Sequence, residues 1–267
     1  MNRVRPTLNR LSSRLQLWLQ SPWVDAIAIL AWGFLLLRYW LNGQLYVLIH
    51  PNYFPLAIGG GFLLLVFGGF RIWELSQNYQ KPQAQIDQQS LQHISLFPKG
   101  WSTALLLISL LLGLFITPRN LGSYVALQRG IMDSLPATQI QPQQFRTASR
   151  PEERSLIEWI RLLNVNPEPE TYRGQRVNVT GFVVYPPNLP QNFIFITRFV
   201  ITCCAADAYP IALPVMLPDT NRGAYPQDSW LQVEGEMTTE VLNNQRRLTI
   251  KADKLTPIPE PRNPYEY

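Results

Sequence analysis

Residues 192–217 read NFIFITRFVITCCAADAYPIALPVML, and this stretch decides the fold of the second half of the chain. Two runs within it, 192–201 and 211–217, are rich in aromatic and β-branched residues, which is typical of β-strands. Between them lies a turn that holds Cys203 and Cys204, the only two cysteines of the chain. The sequence therefore predicts a strand–turn–strand unit with an adjacent thiol pair at its turn.

Three further runs have the same strand-like character. They are QRVNVTGFVVY at 175–185, SWLQVEGEM at 229–237 and RRLTIKADKL at 246–255, the last entered through an Asn-Asn turn. Five short strands, with a glycine in the first and the fourth that can mark a bulge or bend, predict a small OB-like β-barrel over residues 169–267. This match concerns the fold alone. We expect residues 170–260 to fold by themselves into a β-rich domain.

The first half of the chain is built of long apolar runs. Those at 23–41, 54–70 and 101–116 carry almost no internal charge, and each has Trp or Tyr near an end. A bilayer helix needs about 20 apolar residues, so the runs predict three transmembrane helices in an N-terminal membrane domain, residues 1–118. The fold class expected is thus α+β, a three-helix membrane anchor followed by the barrel. Buried helices of a soluble core are the alternative. A signal peptide is the alternative for the first run, which contains charges and lacks a cleavage site.

Glycines in the second apolar run indicate how these helices pack. Gly61 and Gly68 are seven residues apart and share a helix face. Small residues on one face let two helices approach closely. We therefore expect a neighbouring helix to pack on this face.

Charge sets the expected orientation of the helices. Four arginines lie in the first fourteen residues, the 71–100 loop carries Arg71, Lys81 and Lys99, and the 42–53 loop has no Lys or Arg. The positive-inside rule places the N-terminus in the cytoplasm and the 42–53 loop outside. With three crossings, the barrel is extracytoplasmic, in a multi-pass protein of the inner membrane.

Residues 119–168 are expected to form a linker between the two halves. A short amphipathic stretch comes first, and then Gln, Pro, Ser and Thr dominate. The segment SLIEWIRLL at 155–163 has helical spacing. Pro151, followed by two glutamates, is the expected start of this helix, and Pro167 lies beyond its end.

The adjacent cysteines allow three kinds of chemistry: a soft-metal site, a vicinal disulfide, or inert packing. Thiolates select zinc, copper(I) or similar ions, and a carboxylate can complete such a site. Asp207, four residues after Cys203, returns to the same pocket if the turn is compact. Outside the cytoplasm thiols tend to oxidise, which keeps the disulfide among the alternatives.

A histidine can join this group in the predicted topology. The chain has two histidines, of which His93 lies on the cytoplasmic side and His50 lies in the outer loop. Topology therefore allows a zinc or other soft-metal site of Cys203, Cys204, Asp207 and His50. Such a site would clamp the barrel onto the membrane.

Motifs of catalysis and of nucleic-acid binding are missing from the sequence. Neither histidine lies near a nucleophile, and no Gly-rich phosphate loop, HExxH or kinase set occurs, so no enzyme activity is expected. The net charge of +5 owes much to the N-terminal arginines, and the strands carry no basic-aromatic stripe. We expect the lipid bilayer, and no nucleic acid, as a partner.

With these features together, the chain resembles the YcgQ family of bacterial membrane proteins. The likeness is carried by the multi-span first half, by TPRNLGSYVALQRG at 117–130, and by RFVITCCAADAYPIALPV at 198–215. Its most specific part is the CC-x-x-D-A turn, accompanied by His50-Pro51 after the first run. The resemblance implies a YcgR-type permease as partner, and zinc starvation as the condition linked with some members.

The leading hypothesis is a non-enzymatic accessory subunit of a permease. Its outward Cys203–Cys204–Asp207 turn would capture a soft metal such as zinc or hand it over. The second hypothesis is a membrane-anchored thiol-redox module, in which the cysteine pair cycles between dithiol and disulfide. The third is a purely structural subunit whose cysteine pair forms a rigid turn.

Overall fold

The structure is a computed structural model, and it describes residues 18–19, 21–78, 101–131, 150–187, 189–219 and 221–267. The four N-terminal arginines, residues 79–100 with His93, and residues 132–149 of the predicted linker lie outside the described residues. The chain divides into two compact units. The first comprises Met1–Leu45 and Pro51–Pro118, and the second comprises Tyr46–His50 and Arg119–Tyr267.

The described residues form six α-helices, more than the three of the predicted membrane anchor. In chain order they are α1 (Pro22–Leu41), α2 (Leu45–Leu48), α3 (Phe54–Asn78), α4 (Trp101–Phe115), α5 (Ser123–Gln128) and α6 (Leu156–Val165). The three predicted apolar runs correspond to α1, α3 and α4. The other three helices are short and lie outside those runs.

Two helical segments are long and apolar enough to cross a membrane. They are Pro22–Leu41, of 20 residues, and Pro51–Gln77, of 27 residues, whereas the apolar helix α4 has only 15. Their large apolar side chains are exposed along much of their length, as Leu56 at 76% and Phe67 at 64% illustrate. These exposed faces are compatible with membrane association, since water is a poor solvent for them.

Glycines bring α1 and α3 into close contact, as expected from their spacing. A Cβ atom on Gly61 would lie 3.2 Å from Leu37, and one on Gly68 would lie 2.7 Å from Leu30. From the other side, a Cβ on Gly33 would lie 2.8 Å from the Gly61 carbonyl oxygen. The expected packing on this glycine face is confirmed.

The second unit is built around a six-stranded mixed sheet. Its strands are β1 (Arg176–Val184), β2 (Phe193–Val200), β3 (Tyr209–Met216), β4 (Trp230–Leu242), β5 (Gln245–Ile258) and β6 (Tyr265–Glu266). The strand order is β1-β4-β5-β3-β2-β6, and β1 also pairs with β2. Only β3–β5 and β2–β6, among the strand pairs of the described residues, are parallel. The α+β class and the five predicted strands are confirmed, and β6 is an addition.

The two strand glycines have different roles. The register of β4 against β5 shifts between Glu234 and Gly235, so the fourth strand carries the irregularity expected there. No shift occurs at Gly181, where the pairing of β1 with β4 is continuous, and the bulge considered for this position is corrected. Gly181 instead allows β2 to approach β1 closely, because a Cβ atom on this residue would lie 2.7 Å from the Thr197 carbonyl oxygen.

The sheet is covered by apolar side chains on both faces. One cluster includes Val179, Ile196 and Leu213, with Trp159 from α6 fully buried against it. The other cluster contains aromatic side chains of the strands and is covered by residues of the 121–131 segment. Because both faces are buried, seven of the eight residues of β2 are buried, which is why this strand reads as a nearly continuous apolar run.

Helix α6 begins later than the sequence pattern indicated. Residues Pro151–Glu153 form a separate 3-10 turn, and the helix starts only after Ser155. The Ser155 hydroxyl accepts from the Glu158 N–H, and the Glu158 carboxylate accepts from the Ser155 N–H. This capping box satisfies two backbone donors at once and fixes the start of the helix.

Candidate metal centre

The thiol pair lies in the turn between β2 and β3. Cys203 is exposed, Cys204 is half-buried, and both are free cysteines. Their Sγ atoms are 3.6 Å apart. Two thiolates bound to one tetrahedral zinc ion, at about 2.3 Å each, lie about 3.8 Å from one another. The separation of the sulfurs therefore suits a shared metal ion.

The turn is compact enough to bring in the carboxylate that follows it. Residues Ala205–Asp207 form a 3-10 turn, closed by a 3.1 Å bond from the Asp207 N–H to the Cys204 carbonyl. As a result, ligand atoms of Cys203, Cys204 and Asp207 all lie within 4.8 Å of one another. These three residues form a group that could hold a metal ion.

The Asp207 carboxylate accepts hydrogen bonds from the backbone around it. The Cys203 N–H donates to Oδ2 at 2.8 Å, and the Thr202 and Cys204 N–H groups donate to Oδ1 at 3.3 and 3.4 Å. The Thr202 hydroxyl also donates to Oδ2. One carboxylate therefore gathers the N–H groups of three successive residues.

These contacts shift the pKa values of Asp207 and Cys203 in opposite directions. Burial raises the pKa of Asp207, but hydrogen bonds from Thr202 and Cys203 outweigh it and hold this pKa below its ordinary value. Hydrogen bonding to Asp207, and then to Cys204, raises the pKa of the Cys203 thiol to about 11. Near neutral pH Asp207 is an anion and Cys203 keeps its proton. A metal ion must displace that proton in order to bind the sulfur.

His50 belongs to the same compact unit as the turn. Its backbone N–H donates to the Cys203 carbonyl oxygen at 3.0 Å, and Ile49 forms an antiparallel bridge with Cys204. The imidazole ring packs edge-on against Tyr267, with the ring centroids 4.5 Å apart, and is not in the compact ligand group. The backbone of His50 is thus at the turn, and its role as a metal ligand stays a prediction.

An arginine of β2 holds the C-terminal tail, residues 259–267, and it was not predicted from the sequence. Arg198 of β2 donates to the carbonyl oxygens of Asn263 and Tyr265 at 2.9 and 3.2 Å. It also pairs with Glu266 at 3.1 Å, where the two side chains are 12% and 13% exposed. The sequence did carry a signal for this contact, namely an arginine within an apolar strand. A buried arginine needs an acidic partner, because an unpaired buried charge is costly.

The tail in turn holds the segment that carries His50. The Tyr265 hydroxyl donates to the Val47 carbonyl oxygen at 3.1 Å, beside the contact between Tyr267 and His50. Residues 46–50 therefore contact the thiol turn and also the C-terminal tail.

Two family models match the chain and together cover most of it. The DUF1980 N-terminal domain matches residues 24–132, which include His50, and the DUF1980 C-terminal domain matches residues 152–267, which include the thiol turn. No curated protein matches the chain. With both domains present in order, the chain belongs to the DUF1980 family.

Proposed function

We propose that this chain is a membrane accessory protein of a permease and that it binds a soft metal ion, such as zinc, at the Cys203–Cys204 turn. The observation that carries the proposal is the 3.6 Å separation of two free sulfurs beside a carboxylate. Thiolates favour zinc and copper(I), whereas magnesium and calcium prefer oxygen ligands. The turn would take the metal up or pass it on.

The two thiolates are the strong ligands of the proposed site. A structural zinc ion is almost always bound by about four ligands, so two thiolates leave about two positions to fill. Asp207 and His50 are the candidates within the chain for these positions. Asp207 lies within 4.8 Å of both sulfurs, and His50 is tied to the turn through its backbone.

A thiol-redox module is the second candidate, favoured by the proximity of the two free thiols. Reactive cysteines have a lowered pKa, because the thiolate is the nucleophile, whereas hydrogen bonding to Asp207 raises the pKa of Cys203 to about 11. We place the metal site first because the 3.6 Å separation of the sulfurs suits a shared ion. A purely structural turn closed by a vicinal disulfide is the third candidate.

The scaffold of the proposed site is an OB-like barrel. Support comes from β1, which pairs with both β4 and β2, so that the pairings return to the strand from which they began. In this arrangement the thiol turn is the connection between β2 and β3. Connections between strands are where barrels of this type carry binding residues.

We further propose a multi-pass protein with three membrane helices, a cytoplasmic N-terminus and an outward thiol turn. The two long apolar helices and the charge pattern support this. In a Cys203→Ser/Cys204→Ser background, Asn42→Cys should react with an impermeant maleimide on intact cells, and Gln85→Cys should react only after permeabilisation. The opposite pattern would overturn the orientation.

The metal proposal is tested on the full-length protein, purified in detergent and reduced without oxygen. Wild type should bind zinc stoichiometrically, and Cys203→Ser and Cys204→Ser should each lose most of it, because a single remaining thiolate makes a poor soft-metal site. Ala206→Ser, in the same turn, is the matched control and should bind as wild type. Reduced wild type without bound zinc or copper would reject the metal site, and a disulfide in fresh protein would favour the redox candidate.

The YcgR-type permease is proposed as partner on the resemblance to the YcgQ family. Co-expression with such a permease should allow both proteins to be purified together through a tag on either one. Separate elution under mild detergent, with both proteins folded, would reject this partner.

A further inference from the structure

We infer that Asp207 and Thr202 position the thiol pair, and that Asp207 does not ligate the metal. Asp207 would gather the backbone N–H groups of the turn, and the Thr202 hydroxyl would hold the carboxylate in place. This inference rests on the proposed soft-metal site and concerns how that site is built. It removes Asp207 from the ligand set and adds Thr202 as a residue on which the site depends.

The hydrogen bonds at Asp207 occupy the carboxylate. An ionised carboxylate offers about four lone-pair sites on its two oxygens. The Cys203 thiol also hydrogen-bonds to Asp207, but its proton leaves when a metal ion binds the sulfur. Four other donors of the turn remain and use the lone pairs: the N–H groups of Thr202 and Cys204 at Oδ1, and the Cys203 N–H with the Thr202 hydroxyl at Oδ2. A metal ion at Asp207 would have to displace one of these donors. Hydrogen bonds to an ionised acceptor are the stronger kind, so such a displacement is unfavourable.

The same bonds fix the backbone from which the two thiols project. Backbone N–H groups that converge on one anion fix the conformation of successive residues, as in the anion-binding nests of protein loops. With the N–H groups of Cys203 and Cys204 both directed at Asp207, the Cβ atoms of these neighbours are fixed as well. Their sulfurs lie 3.6 Å apart, a separation at which both can bind one ion. Asp207 would thus act on the metal through the thiols.

This arrangement has a consequence for metal exchange. A soft ion held by two thiolates, without the carboxylate, keeps coordination positions that other molecules can fill. A thiol or imidazole of a donor or acceptor could enter those positions before the Cys203 and Cys204 thiolates leave. Open positions of this kind suit a site that passes a metal on, and they would be missing from a closed four-ligand structural site.

The test compares Thr202→Val, Asp207→Asn and the double variant in full-length protein, by zinc competition against a chromophoric chelator. Thr202→Val and Asp207→Asn should each weaken binding about tenfold, as is typical of residues that orient metal ligands. The double variant should be little weaker than either single one, because both changes disrupt one network. If Asp207 is a ligand, Thr202→Val frees a lone pair and binding stays equal or tightens. That result would overturn the inference.

The absorption spectrum of the cobalt(II)-loaded protein reports the ligands of the metal and does not depend on how stable the fold is. At saturating cobalt, Thr202→Val and Asp207→Asn should keep the thiolate-to-cobalt charge-transfer band at wild-type intensity, because both sulfurs remain. Cys203→Ser should lose about half of that intensity, which scales with the number of bound thiolates. A ligand-field spectrum of Asp207→Asn that differs from wild type, as expected on loss of an oxygen ligand, would reject the positioning role.

Two further variants show whether a loss of zinc affinity arises from the hydrogen bond or from misfolding. Thr202→Ser keeps the hydroxyl and should restore wild-type affinity. Thr171→Val removes another exposed threonine hydroxyl that accepts a hydrogen bond from Asn166, and it should leave binding unchanged. A wild-type protein that binds no metal would sink the proposed function, whereas wild-type affinity in Thr202→Val would sink only this inference.

Discussion

The backbone N–H of His50 donates to the carbonyl oxygen of Cys203 at 3.0 Å, although the two residues are far apart in the sequence. The neighbouring residue Ile49 bridges to Cys204, and the His50 ring contacts Tyr267. The thiol turn is therefore supported from outside its own loop. Any role of His50 divides into two parts: the backbone contact and the imidazole.

His50→Ala separates these parts, because alanine keeps the N–H and removes the ring. We expect this variant to weaken zinc binding less than Cys203→Ser does, since the backbone support of Cys203 remains. Zinc competition on full-length protein measures the difference. A loss equal to that of Cys203→Ser would assign the imidazole to the ligand set. Tyr267→Ala is the control, because it removes the ring contact and leaves the imidazole in place.

Gly235→Ala should destabilise the sheet domain, because the irregularity in β4 leaves no space for a side chain. A Cβ atom there would lie 2.1 Å from the Lys251 carbonyl oxygen and 3.0 Å from the Ala252 Cα atom, both backbone atoms. Overpacking of this kind typically lowers stability by about 1–3 kcal/mol. Thermal unfolding followed by circular dichroism measures the effect. Gly223→Ala, whose Cβ atom would meet only the Asn221 Oδ1 atom at 3.3 Å, is the control. Equal melting of the two variants would contradict the prediction.

The buried pair of Arg198 and Glu266 should make stability depend on pH. Burial raises the pKa of Glu266 above its ordinary value of 4.5, and the Arg198 cation opposes this. The folded state therefore holds the proton more tightly than the unfolded state. The stability contributed by this carboxyl is fully present below the unfolded pKa and is lost as pH rises through the folded pKa. For one proton the slope is at most about 1.4 kcal/mol per pH unit.

Two substitutions isolate this pH dependence. Glu266→Gln cannot titrate, so the stability of wild type relative to this variant should fall as the pH rises from acid to neutral. Arg198→Leu removes the opposing cation and should extend the loss to higher pH. Calorimetry of the full-length protein at a series of pH values measures both. A wild-type profile parallel to that of Glu266→Gln would show that the carboxyl has no such effect.

Local patterns in the sequence predicted much of the fold, and long-range contacts limited what could be predicted. The strands β1 to β5 were recognisable because aromatic and β-branched residues mark short extended segments. The Asn243–Asn244 turn is also confirmed, with φ angles of 51° and 61° that suit a tight hairpin. Strand β6 has only two residues and depends on pairing with β2, so it left no local pattern.

The candidate site divides in the same way. Cys203, Cys204 and Asp207 were predicted to come together because a five-residue turn brings its ends close, and the structure brings them together. The role of Thr202 was not predicted, because the sequence does not indicate from which donors a carboxylate accepts hydrogen bonds. Charge patterning put His50 on the same side as the cysteines in the expected topology, but its bond to Cys203 depends on how distant segments pack.

The smallest stable form of the sheet domain should extend beyond the strands. Residues 170–260 were expected to fold alone, but this fragment lacks three elements that stabilise the sheet in the full chain. Trp159 of α6 is fully buried in one cluster, the 121–131 segment covers the other, and Glu266 neutralises Arg198. Loss of buried aromatic packing typically lowers stability by about 3–5 kcal/mol. An unpaired buried charge adds to that loss.

We therefore expect the midpoint of urea unfolding to rise from fragment 170–260 to fragment 150–267, and again to fragment 119–267. Circular dichroism should show β-rich spectra wherever the fragments fold. Trp159→Ala within fragment 150–267 is the matched control, and it should lower the midpoint toward that of 170–260 without reaching it, because the Arg198–Glu266 pair remains. If fragment 170–260 unfolds at the same urea concentration as 119–267, these contacts do not stabilise the sheet. The domain then ends where the strand pattern of the sequence ends.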